Sequence, residues 1–299
     1  PCRGSRLLPD ARGHARRILR RRQYAIVDAV DAHVSVFNHG YTVAEGVFET
    51  MKTLDGRVFL LPWHLERLRQ SAAVIGLPLP GDDLLTTALR SVVAANASTV
   101  PGIGRLRLTV TCSNDDAHVD GGAGTTVVAT VMSAKQPTAT AQLSTSPWPR
   151  NERSPLVLAK STSYAENVLA LQHAQTTGAT EGLFFNTHGS LSEGTASNIF
   201  VVRDGIVLTP PVSDGLLPGV TRRFVMALGS TDIPVEERTI SRALLDSADE
   251  VFLTSTFRDI QPVDRIDDRA FGVGAVTSEL RSRFTAAAEA DWCWVWGGP

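Results

Sequence analysis

Cysteine is scarce in this sequence of 299 residues. Cys2, Cys112 and Cys293 are far apart, and their number is odd. A disulfide framework is built from an even set of cysteines and a CxxC metal site from a close pair, so neither is predicted. The sequence therefore gives no reason to expect a metal, and it fits a protein of the reducing cytoplasm, which is the predicted location.

Long apolar runs and an excess of one charge are also missing. No stretch of about 18 apolar residues occurs, so no transmembrane helix is predicted. The formal net charge is −2, which argues against a general nucleic-acid binder. Five arginines lie between Arg16 and Arg22, and Asp28 and Asp31 interrupt the segment after them, unlike the apolar part of a signal peptide. We predict a disordered basic extension over residues 1–24, with a contact to RNA or an acidic partner as the alternative.

The remaining sequence has the composition of a globular protein, with 43% hydrophobic and 20% charged residues. Strand and helix patterns alternate along it. Strands are predicted over 46–54, 57–61, 105–112, 126–132, 143–147, 156–160, 181–186, 197–202, 206–209 and 250–253. Helices are predicted from about 62, over 82–95, over 163–177 and from about 219. The predicted fold class is α/β, with an N-terminal domain over 25–133, a linker over 134–141 and a C-terminal domain over 142–299.

Two ionisable residues occupy positions suited to chemistry. Lys160 follows the apolar run 156–159. Burial at the end of a strand would lower the pKa of its amine and free it to attack a carbonyl, whereas most lysines are solvated. Glu193 lies among small residues in 191–198. A flat ligand could approach its carboxylate closely there, and an exposed turn glutamate is the alternative.

Two further segments could bind an anion. Residues 219–222, Gly-Val-Thr-Arg, open a predicted helix, where backbone N–H groups and the Thr221 hydroxyl could hold a phosphate. The alternative is a threonine that only caps the helix. Arg67 lies on an earlier helix and could pair with Glu66 or with a carboxylate elsewhere.

The order and spacing of these groups resemble one enzyme family. The resemblance is carried by Arg67, Lys160-Ser-Thr-Ser-Tyr164-Ala-Glu-Asn167, Ser192-Glu193-Gly194 with Ser197-Asn198-Ile199-Phe200, Gly219-Val220-Thr221-Arg222, and Thr256 with Pro262-Val263. Over about residues 32 to 285 the chain resembles the fold-type IV enzymes dependent on pyridoxal 5'-phosphate (PLP), also called class IV aminotransferases. The resemblance implies a smaller N-terminal and a larger C-terminal α/β domain with the cofactor between them, and a homodimer.

The resemblance also implies a role for each position. Lys160 would be the catalytic residue, which holds PLP as a Schiff base and moves the substrate proton. Glu193 would keep the ring nitrogen of the cofactor protonated, so that the ring accepts electrons. The other cofactor-binding positions implied are Arg67, Tyr164, Ser197, Asn198, Val220, Thr221 and Thr256. The implied substrate-binding positions are Thr50, Arg107, Phe257 and Arg258.

Two reactions fit this resemblance. The first is a transaminase that moves an amino group between an amino acid or amine and a keto acid. The second is 4-amino-4-deoxychorismate lyase, which releases pyruvate and 4-aminobenzoate. Both need the same lysine and the same electron sink, so the sequence leaves them open. A PLP-fold protein that binds without turnover is a third reading.

Overall fold

The computed structural model describes residues 17–20, 25–113, 124–290 and 293–295. The strands are β1 (Arg17–Arg20), β2 (Ala25–Asp28), β3 (Gly46–Leu54), β4 (Arg57–Phe59), β5 (Gly104–Cys112), β6 (Thr125–Ser133), β7 (Ala141–Thr145), β8 (Glu181–Phe185), β9 (Leu191–Gly194), β10 (Asn198–Arg203), β11 (Ile206–Thr209), β12 (Val235–Glu237), β13 (Glu250–Ser255), β14 (Asp259–Ile266), β15 (Arg269–Ala270) and β16 (Trp294–Val295). The helices are α1 (His39–Thr42), α2 (Leu61–Val74), α3 (Asp82–Ala95), α4 (Ala165–Thr176), α5 (Val220–Met226), α6 (Arg242–Asp246) and α7 (Ala275–Ala288), with a 3₁₀ turn over Val212–Asp214.

The first sheet has the strand order β16-β4-β3-β5-β6-β1-β2. Along β5, Leu106 and Leu108 are fully buried and belong to the core that also contains apolar side chains of α2 and α3. Successive side chains of a strand point to opposite faces, so Arg105 and Arg107 share the other face of the sheet. Arg105 and Arg107 therefore lie on the face of the first sheet opposite α2 and α3.

The second sheet has the order β12-β11-β10-β13-β14-β7-β8-β9, with β15 paired to β14. β10 and β13 are antiparallel neighbours, and their Phe200 and Phe252 rings stack with centroids 4.8 Å apart. β7 runs parallel to β8 and to β14. Strands with mixed direction and helices together make an α/β fold, as predicted.

Most predicted elements are observed, but the strand predicted over 156–160 is wrong. The residues before Lys160 form turns, in which Val157 N–H donates to the Ser154 carbonyl (3.1 Å) and Ala159 N–H donates to the Leu156 carbonyl (3.0 Å). An apolar run does not by itself distinguish a buried strand from a series of turns. Leu158 is 44% exposed, so this run is not the interior of a buried strand.

The two ends of the described chain both join the first sheet. Arg17–Arg20 pair with β2 and β6, so the prediction of a disordered extension over residues 1–24 is wrong for these four residues. Residues 1–16 and 21–24 lie outside the described part. β16 pairs with β4, which ties the C-terminal region to the first sheet. None of the helices described here is long and apolar enough to span a membrane.

Candidate active site

A cavity of about 630 Å³ lies between the two sheets. It is lined by all thirteen residues that the sequence singled out. These are Thr50, Arg67, Arg107, Lys160, Tyr164, Glu193, Ser197, Asn198, Val220, Thr221, Thr256, Phe257 and Arg258. The fold thus brings into one place groups that span more than two hundred residues of the chain.

Lys160 is fixed in this cavity through its backbone. Its N–H donates to Ser71 Oγ (2.9 Å), and its carbonyl accepts from Phe48 N–H (2.9 Å). Its Nζ lies 4.5 Å from the centre of the Phe48 ring. Enclosure by protein, and then the positive charge of Arg67, lower the pKa of the Lys160 amine to about 8. A substantial share of uncharged amine is therefore present in the neutral to mildly alkaline range.

The chain has only two other lysines, and neither is a comparable nucleophile. Lys52 Nζ is paired with the Asp259 carboxylate at 2.6 Å. Lys135 also lines the cavity but is exposed. Lys160 is thus the cavity lysine of this chain whose amine is enclosed by protein and free of an ion pair within the described residues.

Glu193 is the next-to-last residue of β9 and is 9% exposed. Its Oε2 accepts from Leu217 N–H (3.1 Å) and from Asn198 Nδ2 (3.3 Å). Burial raises the pKa of Glu193 to about 7, against the opposing pull of Arg150, whose Nη2 lies 3.7 Å from Oε1. A cationic N–H placed beside this carboxylate would keep it ionised and would itself stay protonated.

Arg67 is oriented by a buried carboxylate. Glu49 accepts from Arg67 Nε (2.8 Å) and Nη2 (2.7 Å), and His64 Nδ1 lies 2.7 Å from Glu49 Oε2. Burial alone would raise the pKa of Glu49, but Arg67 and His64 outweigh it and bring that pKa to about 2. Arg67 Nη1 donates to the Pro218 carbonyl (3.2 Å), two residues before α5. These hydrogen bonds hold the Arg67 guanidinium beside the first turn of α5.

Glu49→Gln is expected to destabilise the fold by about 3–5 kcal/mol, because it leaves the buried Arg67 without its carboxylate. Urea unfolding of the variant and wild type measures this difference. Glu66→Gln, beside Arg67 on α2, is the matched control, since the Glu66–Arg223 pair is solvent-exposed and contributes at most about 1 kcal/mol.

The stability difference between Glu49→Gln and wild type also depends on pH. The folded-state pKa of Glu49 is lowered to about 2, so its contribution is complete above the unfolded value near 4.5 and is lost as pH falls toward 2. The gap between wild type and variant should narrow over that window. A gap that stays constant with pH would mean that the charge of Glu49 is not what stabilises the site.

Two buried hydroxyl groups of the cavity lining could form hydrogen bonds with a polar ligand. Ser197 Oγ and Thr254 Oγ1 are buried, line the cavity and have no hydrogen-bond partner within the described residues. Buried hydroxyls normally have such a partner. A Cβ on Gly219 would collide with Asn198 Oδ1, so glycine allows the backbone its close approach at the start of α5. With Arg67 and the N–H groups of that first turn, these features fit a flat ring that carries a phosphate.

The opposite wall belongs to the first sheet. Arg107 lies over the Phe48 ring (3.9 Å to its centroid), and Arg105 lies over the Phe257 ring (4.7 Å). Burial lowers the pKa of Arg107. Thr256 Oγ1 donates to the Thr50 carbonyl (3.1 Å), which joins the two walls.

Arg258, like Arg67, already has a carboxylate partner for its guanidinium. It donates to Glu181 Oε2 at 2.6 Å and also to Gln261. Glu181 is 1% exposed, so this pair is part of the packed wall. Arg105 and Arg107 are the arginines of the cavity lining that have no carboxylate partner among the described residues.

Four residues that shape the site were not identified from the sequence as doing so. Glu49 and His64 orient Arg67, Glu181 holds Arg258, and Arg150 faces Glu193. Arg150 is 9% exposed, lies 4.0 Å over the Phe184 ring and donates to Glu166 (2.6 Å). A charged residue inside an otherwise apolar pattern, as in Val-Phe-Glu49-Thr, was the signal available for Glu49.

Comparison with known proteins agrees with this geometry. The model of the family described as Amino-transferase class IV matches residues 46–266. A protein of Methanocaldococcus jannaschii, provisionally named a branched-chain-amino-acid aminotransferase, is 33% identical over 86% of this chain and 92% of its own. The D-alanine aminotransferase of Bacillus licheniformis is 31% identical over 84% and 89%. The crystal structure of a branched-chain aminotransferase from Thermoproteus uzoniensis with norvaline superposes with a TM-score of 0.85, at 28% identity, over 95% of this chain and 99% of that one.

Proposed function

We propose that this chain, which belongs to the class IV aminotransferase family, exchanges amino groups between amino acids and 2-oxo acids in the cavity between its two sheets. The observation that carries the proposal is that Lys160 and Glu193 share this cavity with Arg67 and the first turn of α5. The alternative of an aminodeoxychorismate lyase is not favoured, because the relatives named above are aminotransferases.

The enzyme depends on pyridoxal 5'-phosphate, which when bound withdraws electrons from the substrate carbon that carries the amino group. Lys160 Nζ would bind the aldehyde end of that cofactor. With a pKa of about 8, the same atom can take a proton from the substrate carbon and return it. Glu193 would hold the proton on the ring nitrogen. Arg67, the N–H groups of Val220 and Thr221 and the Thr221 hydroxyl would bind the phosphate.

The residues of β5 that line the cavity favour a substrate with a second carboxylate. Arg107 is partly buried and lacks a carboxylate partner among the described residues, and a guanidinium in such a place is satisfied best by a bidentate carboxylate. We infer that glutamate and 2-oxoglutarate form one of the two substrate pairs. Phe48 and Phe257 also line the cavity, where they would lie near the side chain of the other substrate.

Transfer of ¹⁵N tests the reaction directly. Holoenzyme is incubated with a labelled L- or D-amino acid and an unlabelled 2-oxo acid, and the label is followed by mass spectrometry. Label is expected in the new amino acid, with glutamate or 2-oxoglutarate as an efficient partner. Release of pyruvate and 4-aminobenzoate from aminodeoxychorismate, without label transfer from any donor, would overturn the proposal.

Arg107→Gln separates the acidic substrate from the reaction itself. The variant should raise KM for 2-oxoglutarate by about 10–100-fold, because a charge-assisted hydrogen bond contributes about 1.5–3 kcal/mol. KM for an apolar amino acid should change much less. Equal changes for both substrates would remove Arg107 from the recognition of the second carboxylate.

Thr221→Ala tests the phosphate end. The hydroxyl would contact the phosphate and not the reacting carbon, so its loss should weaken cofactor binding by about 10-fold while turnover at saturating cofactor stays near wild type. Fluorescence titration of the apoenzyme with PLP measures the affinity. Thr187→Ala, which removes an exposed threonine outside the cavity lining, is the control. An unchanged cofactor affinity in Thr221→Ala would exclude this hydroxyl from the phosphate site.

A homodimer is the proposed assembly. Phe37, Tyr41 and Val43 are 72%, 76% and 67% exposed in the single chain, which is unusual for three large apolar side chains in one short segment. Burial against a second copy would remove them from water. Light scattering should give the mass of two chains, and Tyr41→Glu should lower that mass. A monomeric wild type would contradict the dimer.

We propose the cytoplasm as the location of the protein, which the free thiols of Cys112 and Cys293 support.

A further inference from the structure

Three potential metal ligands converge at the edge of the first sheet. His39 begins α1, Glu45 directly precedes β3 and Cys112 ends β5. The ligand atoms of these three side chains all lie within 4.8 Å of one another. His39 Nδ1 and Glu45 Oε2 are 2.7 Å apart. None of the three residues lines the cavity described above.

The backbone holds these residues in a fixed relation. Glu45 N–H donates to the His39 carbonyl (3.2 Å), and Cys112 N–H donates to the Glu45 carbonyl (3.0 Å). The pairing of β3 with β5 continues this connection through Gly46 and Thr111. The ligands are thus carried on a preformed frame, and an ion would need only side-chain adjustments.

Access and chemistry both suit a borderline-soft divalent ion. In the single chain the side chains of His39 and Glu45 are 35% and 36% exposed, so an ion can reach them from solvent there. Thiolate, imidazole and carboxylate are the three ligand types that Zn²⁺ uses in proteins, usually in a tetrahedron. With bonds of about 2.0–2.3 Å, neighbouring ligand atoms lie about 3.3–3.8 Å apart. The His39–Glu45 contact would need to open by less than about 1 Å.

We propose that His39, Glu45 and Cys112 form a binding site for one Zn²⁺ ion, with a water molecule as the fourth ligand. On binding, the Cys112 thiol releases its proton to solvent and the thiolate bonds to the metal. Because the thiol must lose its proton to bind the metal, zinc binding should strengthen as pH rises.

The ion would brace the segment that flanks Lys160. The Gly46 carbonyl accepts from Thr162 N–H (2.8 Å), and the Ala44 carbonyl accepts from Thr162 Oγ1 (2.7 Å). The next link is the bond from Phe48 N–H to the Lys160 carbonyl. Glu45 lies between Ala44 and Gly46, so a metal bond to Glu45 would fix the strand start against which the lysine segment packs.

Equilibrium dialysis of the holoenzyme against Zn²⁺, with free cofactor removed, tests the site. Metal content is measured by atomic emission. One zinc per chain is expected for wild type and for the control Cys293→Ser, and none for Cys112→Ala or His39→Gln. Circular dichroism confirms that the variants are folded. Equal zinc content in Cys112→Ala and wild type, or no bound zinc in wild type at micromolar free metal, would overturn the proposal.

X-ray absorption at the zinc edge supplies a readout independent of affinity and of transaminase activity. One sulfur ligand at about 2.3 Å and nitrogen or oxygen ligands at about 2.0–2.2 Å are expected. The sulfur ligand should disappear in Cys112→Ser. A first shell made only of nitrogen and oxygen in wild type would show that the thiol is not a ligand and would contradict the site as proposed.

Discussion

Replacing Lys160 by alanine is expected to lower turnover by about 10⁴-fold or more and to leave the cofactor without a covalent attachment. The substitution removes both the amine that binds the cofactor aldehyde and the group that moves the substrate proton, and loss of proton transfer alone costs about 10²–10⁴-fold. Turnover is measured at saturating cofactor and substrates. Retained cofactor is measured after borohydride reduction and denaturation.

Lys135→Ala is the matched control, because Lys135 lines the same cavity but is exposed. It should keep turnover within about threefold of wild type and should keep the covalent attachment, because an exposed side chain makes few interactions to lose. If Lys160→Ala retained turnover within tenfold of wild type, the catalytic lysine would have to be another residue.

Glu193→Gln is expected to lower kcat by several orders of magnitude while the cofactor still binds through Lys160. The amide keeps the shape of the side chain but removes the charge that holds a proton on the ring nitrogen, so the ring becomes a poor acceptor of electrons. The loss should appear in kcat more than in cofactor affinity, since the interaction matters most in the transition state. Steady-state kinetics and PLP titration of one preparation give both quantities.

Stability measurements distinguish this loss from misfolding. Burial raises the pKa of Glu193 to about 7, so in the apoenzyme the ionised carboxylate opposes folding as pH rises from about 4.5 through 7. Glu193→Gln should therefore unfold in urea at no lower concentration than wild type at pH 8. Near-normal kcat in a folded Glu193→Gln would move the partner of the ring nitrogen to another residue.

The sequence predicts the parts of the site that lie within short motifs. Gly219 to Arg222 open α5 as expected, because a glycine followed by helix-compatible residues is a local signal. The β3 and α3 boundaries were also predictable from alternation and periodicity. The segment before Lys160 was not, because its apolar residues pack as turns in which tertiary contacts override the local pattern.

Long-range contacts are what the sequence could not supply. Arg67 was expected to pair with Glu66 or with a distant carboxylate, and the partner is Glu49, eighteen residues earlier. The choice depends on α2 packing against β3, which buries Glu49 and leaves Glu66 in solvent with Arg223. The convergence of His39 and Glu45 with Cys112 depends in the same way on the pairing of β3 with β5.

Peptide mapping of borohydride-reduced holoenzyme tests the central claim most directly. Reduction fixes the cofactor to whichever lysine holds it, and the chain offers only Lys52, Lys135 and Lys160. Mass spectrometry of a protease digest should find the added cofactor mass on the peptide that contains Lys160 and unmodified peptides for the other two. Cofactor mass on Lys52 or Lys135, with Lys160 unmodified, would contradict the account.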